Sequence, residues 1–234
     1  MRYTSFASYY DKMMSDVDYN WWISNIKQYI KKDAQVLDLA CGTGTLTTIL
    51  ANAEYNMTGL DISEDMLVIA SEKIKDLNVK IDLIHRDMRD LDGLTDFDAV
   101  VCAVDSINYL TCIGDVQQTF NSVYNILNHE GFFIFDVHTP YKINNIFNDY
   151  LYVENDEDLT YIWYVNHDEL PLSIVHELTL FAKNSDGSYN RNVEYHYQRT
   201  FEMSDYVFLL QDAGFTIVDQ IGDNERQMFI VRKD

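Results

Sequence analysis

The sequence predicts an α/β fold: a seven-stranded, mostly parallel sheet with helices on both faces, plus a small antiparallel β insertion after the fifth strand. Three observations carry this expectation. Short apolar runs alternate with helix-period segments from Gln35 to Val137, the signature of βαβ units. The first apolar run ends in a tight glycine turn, Asp38-Leu39-Ala40-Cys41-Gly42-Thr43-Gly44. After Pro140 the alternation stops and long extended segments take over.

Taken in order, Thr4–Met14 and Tyr19–Ile30 read as two helices ahead of the sheet. Gln35–Ala40 is a buried strand and Thr45–Ala53 the helix after it. Tyr55–Leu60 and Ser63–Asp76 form the next strand and helix, with Glu64 and Asp65 in the first turn, where negative charge suits the helix dipole. Val79–Ile84 is a third strand. Phe97–Val104 is a fourth, apolar enough to be covered on both faces. Asp115–Leu127 is a helix and Gly131–Val137 the fifth strand. Tyr141–Phe147 reads as a short helix. Thr160–His167, Leu172–Lys183 and Tyr189–Phe201 are three extended segments, the last two joined by the turn Asn184-Ser185-Asp186-Gly187. Helix Ser204–Asp212 and strands Thr216–Gln220 and Gln227–Arg232 close the chain. The division that follows is 1–32 for two lid helices, 33–140 with 201–234 for the core, and 141–200 for an insertion over the substrate pocket. Nine of the 17 tyrosines fall between Tyr141 and Tyr206, which suits a pocket wall or plain strand preference.

Composition narrows the function. With 38 acidic against 17 basic side chains the net charge is −21, which argues against binding phosphate backbones or anionic membranes. No stretch approaches the ~20 apolar residues of a membrane span, and the first residues have no signal-peptide core, so a cytoplasmic protein is expected. The three cysteines lack CxxC spacing and the six histidines lack ligand spacing, so neither disulfide nor metal is expected.

The glycine turn points to a nucleoside cofactor. Gly42 and Gly44 let the backbone turn tightly and approach a ligand, and the following helix aims free N–H groups at it. Asp61, at the end of the second strand, is placed to accept from ribose hydroxyls. A dinucleotide fold needs a third glycine where Thr47 stands. Asp38, just ahead of the turn, suits a cationic cofactor better than a pyrophosphate.

In that light VLDLACGTG, GLDIS, HRDMRDL and AVDSINYL resemble the successive signatures of class I S-adenosylmethionine (SAM)-dependent methyltransferases, whose core is Rossmann-like. FASYYDKMM, FDVHTPYK, the stretch from Val175 to Phe201 and ERQMFIVRK extend the resemblance to small bacterial methyltransferases of largely unassigned substrate. One departure is the short loop Gly222-Asp223-Asn224 before Glu225-Arg226. The resemblance implies SAM as cofactor and S-adenosylhomocysteine as product. Asp38 would hold the methionine ammonium, with backbone contacts from Ala40, Gly42 and Gly44. Asp61 would take both ribose hydroxyls. Ile62 and Met66 would sandwich the adenine with Met88, and Asp87 would receive its amine. Ala103 and Asp105 would lie near the methyl group. Tyr10 would close over the cofactor, with Tyr3 beside it.

Methyl transfer from a sulfonium needs a positioned nucleophile and exclusion of water; a base is needed only if the nucleophile must lose a proton. Asp105 and His138 are the candidate bases, His138 having the better resting pKa. His138 as a structural histidine beside Pro140 stays an equal reading. Along Tyr189–Phe201, alternation puts Tyr195, Tyr197 and Arg199 on one face and His196 and Gln198 on the other, without saying which meets the cofactor. The expected substrate is a small molecule with an N or O acceptor. An RNA methyltransferase and a non-catalytic SAM sensor are the alternatives, and a nicotinamide enzyme a weaker one. The protein is expected as a monomer or homodimer.

Overall fold

The computed structural model describes residues 6–75, 77 and 79–234. Tyr3, expected beside the lid, lies outside them. The core strands are β1 (Gln35–Leu39), β2 (Asn56–Asp61), β3 (Asp82–His85), β4 (Phe97–Cys102), β5 (Leu127–His138), β10 (Phe215–Gly222) and β11 (Arg226–Lys233). They form one sheet in the order β10-β11-β5-β4-β1-β2-β3. The five strands β1 to β5 run parallel, and β11 enters antiparallel between β5 and β10. Every parallel strand thus ends at the same edge, and the β10–β11 turn reaches that edge too. Open α/β sheets bind ligands there.

Helices α3 (Thr45–Asn52), α4 (Glu64–Lys75), α5 (Ile113–Ile126) and α6 (Met203–Asp212) connect the strands. One apolar cluster under α5 and α6 joins Phe120, Phe133, Phe135, Tyr206 and Phe229. The opposite cluster packs Trp22 and Ile26 of α2 (Tyr19–Tyr29) with Leu50 of α3 on Val36 and Ala99. Covered on both faces, β1 buries Val36 to Leu39 in succession, including the carboxylate of Asp38. Asp18 caps α2, accepting from Asn20 N at 3.1 Å and Trp21 N at 3.4 Å.

The inserted segment is a second sheet, β6-β7-β8-β9, antiparallel throughout: β6 (Leu151–Asn155), β7 (Leu159–His167), β8 (Ser173–Lys183) and β9 (Tyr189–Arg199). Three of these strands match the expected segments and β6 was missed. It is an edge strand whose Leu151, Tyr152 and Val153 are all exposed, so its sequence carries no alternating buried face to read. The expected helix after Pro140 is one wide turn, Lys142–Ile146, closed by Phe147 N donating to Lys142 O at 2.9 Å.

Helix α1 (Ala7–Met13) has no side-chain cap and only seven residues, too short to persist alone. Packing holds it: Phe6, Tyr9 and Met13 sit on Leu159, Tyr161 and Leu180 of the inserted sheet, and Lys12 pairs with Asp156. From its other side Asp11 accepts from Thr43 Oγ1 at 2.6 Å and pairs with Lys73 of α4 at 2.6 Å. Helix α1 therefore bridges the inserted sheet and the glycine turn.

Phe135 is fully buried, stacked on Phe133 at 4.7 Å and on Phe229 at 5.2 Å. Phe135→Ala is expected to cost about 3–5 kcal/mol in chemical denaturation, while exposed Tyr195→Ala should stay within about 0.5 kcal/mol.

Candidate active site

The glycine turn is built from three left-handed residues at alternate positions, Ala40 (φ 62°), Gly42 (φ 55°) and Gly44 (φ 73°). At Gly42 an added Cβ would meet nothing within 4 Å, so the loop faces open space; at Gly44 it would lie 3.0 Å from Ala70 Cβ, because α4 packs against the turn. Ala40, Gly42, Asp38, Ala103, Tyr10 and Tyr19 line a narrow cleft above β1 and β4. Burial pushes the Tyr10 phenol well above its ordinary value, with Tyr109 and Asp105 nearby adding to it. The Tyr10 phenol is thus neutral.

Asp38 accepts from Thr47 Oγ1 at 2.5 Å, and among the described residues no basic side chain pairs with it. Burial pushes its carboxyl up to about 7, only partly opposed by that bond. Asp61 uses one lone pair on each oxygen: Gly42 N donates at 2.7 Å and Ser63 N at 2.8 Å. Burial raises its pKa too, against those bonds. A carboxylate has about four acceptor positions, so Asp61 keeps capacity for a ligand. Met66 N donates to Ser63 Oγ at 3.3 Å, so Ser63 serves α4 and Asp61 is left to the turn.

Beyond Asp61, the Ile62 side chain is 64% exposed beside half-buried Met66. Met88 packs on the core behind. Asp87 is gripped by Arg89: Nε donates to both carboxylate oxygens, Nη2 to one at 2.6 Å, and the Arg89 backbone N–H to the other at 2.9 Å. Arg89 Nη1 reaches Asp115 at 3.0 Å. The guanidinium holds Asp87 below the usual carboxylate range. An adenine amine would have to share Asp87 with this fork.

The end of β4 is strained. Val104 (φ 56°) and Asp105 (φ 52°) are consecutive left-handed residues, rare for a β-branched side chain. The turn aims the Asp105 carboxylate into a polar network. Trp163 Nε1 donates to His176 Nδ1 at 3.0 Å, so His176 carries its proton on Nε2 and gives it to Gln198 Oε1 at 3.0 Å. Burial pushes His176 down to about 4, in keeping with that neutral tautomer. Gln198 Nε2 then donates to Asp105 at 2.9 Å. Arg226 Nη2 reaches Asp105 at 2.8 Å while its Nη1 pairs with Asp136. His138 Nε2 stands 3.4 Å from the same carboxylate. Burial opposes the charge on Asp105, but His138, Arg226 and Gln198 together hold it well below the usual carboxylate range. Such a carboxylate orients its partners and is a weak base. His138 is 3% exposed, with its Nδ1 unpartnered among the described residues and its ring against Phe147.

The structure thus gathers Asp38, Ala40, Gly42, Asp61, Ala103, Asp105 and Tyr10 at one edge, and places Ile62, Met66, Met88 and Asp87 beyond Asp61. It also settles the orientation of β9. Gln198 turns inward to Asp105, and His196 Nδ1 lies 3.2 Å from the Tyr109 hydroxyl, while Tyr195 and Tyr197 face out at 56% and 53% exposure. The tyrosines of β9 are therefore not pocket wall. Sequence reasoning missed Arg226 and Arg89, and it put Gln198 on the face opposite Tyr195 and Tyr197 without giving it a partner. Arg226 opens β11 directly opposite His138, and that register brings its guanidinium onto Asp105.

Fold and cleft together define an α/β enzyme of a nucleoside cofactor that carries positive charge. A methyltransferase domain model matches residues 36–131. A methyltransferase-family relative from Geobacillus sp. (strain WCH70) is 40% identical over 100% of both chains. A crystal structure of an S-adenosylmethionine-dependent methyltransferase from Clostridium acetobutylicum ATCC 824 is 28% identical, covers 97% of both chains and superposes with a TM-score of 0.86. A sugar N-methyltransferase of Streptoalloteichus sp. ATCC 53650 shares the fold at 20% identity and a TM-score of 0.78, over 98% of this chain and 93% of its own. The chain belongs to the SAM-dependent methyltransferase family and uses SAM as its cofactor. The residues present fit that group. Asp38 is a buried acid without a cation at a cleft, Gly42 leaves room for close approach, and Ile62 offers an uncovered apolar face.

Two measurements follow. Asp61→Ala should weaken S-adenosylhomocysteine binding about a hundredfold in calorimetry, by loss of two hydrogen bonds to a charged acceptor. A ligand ammonium beside Asp38 favours its ionised form, so binding expels the Asp38 proton wherever the free protein carries it. Affinity should therefore fall up to about tenfold per pH unit below about 7, and Asp38→Asn should flatten that dependence.

Proposed function

We propose that this protein transfers the SAM methyl group to a nitrogen or oxygen of a small molecule, in the cytoplasm. The carrying observation is the roof over the reactive edge. Helix α1 is fastened on one side to the inserted sheet and on the other to Thr43 and Lys73, and Gln198 ties that sheet to Asp105. A roof closed this way admits a metabolite far more readily than a folded RNA, and −21 charges repel a phosphate backbone. The shared fold of a sugar N-methyltransferase supports the same reading.

Bound SAM supplies an electrophilic methyl group on a good leaving group. The chain would hold it through Asp38, Ala40, Gly42, Gly44 and Asp61, with Ile62, Met66, Met88 and the Asp87–Arg89 pair bounding the adenine end. Ala103 would flank the methionine portion, and Tyr10 would cover the cleft and exclude water. His138 is the proton acceptor for the incoming nucleophile. Asp105, 3.4 Å from its Nε2, favours the tautomer that carries the proton there and leaves the Nδ1 lone pair free, the division of labour of a carboxylate–histidine pair.

Incubation with methyl-labelled SAM and fractionated cell extract should place label in low-mass metabolites; label confined to RNA would overturn the reading. His138→Gln should lower turnover about 10²-fold or more, with S-adenosylhomocysteine binding retained. Full turnover in that variant would remove His138 from the chemistry.

A further inference from the structure

Beside the cofactor cleft lies a second cavity of about 420 Å³, between the start of α2, the end of β4 and the β10–β11 turn. Its size falls within the roughly 300–1,000 Å³ of small-molecule sites. Val104 borders both spaces, so the two cavities adjoin at the end of β4. Val104 is also the β-branched residue forced into a left-handed conformation, a strain that clusters at ligand sites.

We propose that this cavity is the acceptor pocket and that it selects an amine, so that the protein is an N-methyltransferase of a small cationic metabolite. The proposal rests on the small-molecule reading above and goes one step past it. Two indoles line the pocket, Trp21 half-exposed and Trp22 edge-on to it at 5.4 Å. Indole faces attract ammonium groups. Three carboxylates accompany them. Asp18 and Asp223 each accept backbone N–H groups through Oδ1: Asp18 from Asn20 and Trp21, and Asp223 from Glu225 at 2.7 Å and Arg226 at 3.1 Å. Those bonds keep Asp223 below the ordinary carboxylate range, hence charged. Among the described residues the Glu225 carboxylate pairs with Lys142 alone, at 3.9 Å. Of the two cations of the pocket, Arg226 is engaged by Asp105 and Asp136, while Lys142 lies over the Phe147 ring and beside Glu225, so the three carboxylates outnumber the one cation left to face a ligand. What remains for a ligand is negative and aromatic, which favours an amine over an alcohol and disfavours a carboxylate or phosphate.

The chemistry balances. The amine enters as its ammonium and gives one proton to His138, which passes it to water. The freed nitrogen lone pair forms the N–CH₃ bond as the C–S⁺ bond breaks, and that bonding pair stays on sulfur as a neutral thioether. The product leaves as a methylammonium ion.

The test uses methyl-labelled SAM, a small-metabolite extract, and two proteins: wild type and the double variant Asp223→Asn/Glu225→Gln. The amide introduced by Asp223→Asn keeps an Oδ1 acceptor for both backbone N–H groups, so the turn is preserved; the S-adenosylhomocysteine affinity and melting temperature check this. Labelled products of wild type should be retained on a cation exchanger, and the double variant should form them about tenfold more slowly with cofactor affinity unchanged. Small labelled products that are neutral or acidic would overturn the amine while leaving the small-molecule reading intact. Label in RNA would overturn that reading itself. Equal labelling of basic products by the double variant would overturn the placement of the site.

Discussion

Asp105 is the charge around which the reactive edge is assembled. A carboxylate with only 16% of its side chain exposed is costly unless cations and donors surround it. Here they come from three strands: His138 from β5, Gln198 from β9 and Arg226 from β11. The Asp105 backbone N–H also donates to Asp136 of β5 at 3.1 Å, and Arg226 spans both acids. Removing any one partner would leave a buried charge short of compensation, so these strands are held in one relative position. The inserted sheet and the β10–β11 turn are fastened to the core at that same point.

Asp38 is the instructive contrast. It too is an acid at the end of a parallel strand, but its hydrogen-bond partner is a neutral hydroxyl. Burial then dominates and lifts it to about 7, whereas Asp105 with its cations goes the other way. Similar side chains in similar places thus acquire opposite tasks. One is a settled anion that orders its neighbours, and the other is completed by the charge of a ligand.

The polar chain through the inserted sheet has a direction, because Trp163 can only donate. That one constraint fixes the His176 tautomer, the orientation of the Gln198 amide and the donor presented to Asp105. On the opposite flank Lys73 donates to Thr45 Oγ1 at 2.7 Å and pairs with Asp11, so α1 is held against the glycine turn by charge as well as by its apolar contact with the insertion.

The strand–helix alternation, the glycine turn and the acids Asp38 and Asp61 were legible in the sequence because each depends on residues close to it in the chain. Asp61 reaches Gly42 across only 19 positions, within one βαβ unit. Edge strand β6 was not legible, since exposure on both faces erases the period that marks a strand. Nor were the partners of Asp105, because Gln198 and Arg226 lie 93 and 121 positions away and no local pattern announces such a meeting. The sequence by itself therefore determined the fold class and a nucleoside cofactor, which rest on local geometry repeated at successive strand ends, and the resemblance of its motifs pointed to SAM. Only the tertiary structure decided which buried acid is ionised, which face of β9 looks inward and what surrounds the acceptor, because charge and hydrogen bonding are set by whichever distant groups the fold brings within reach.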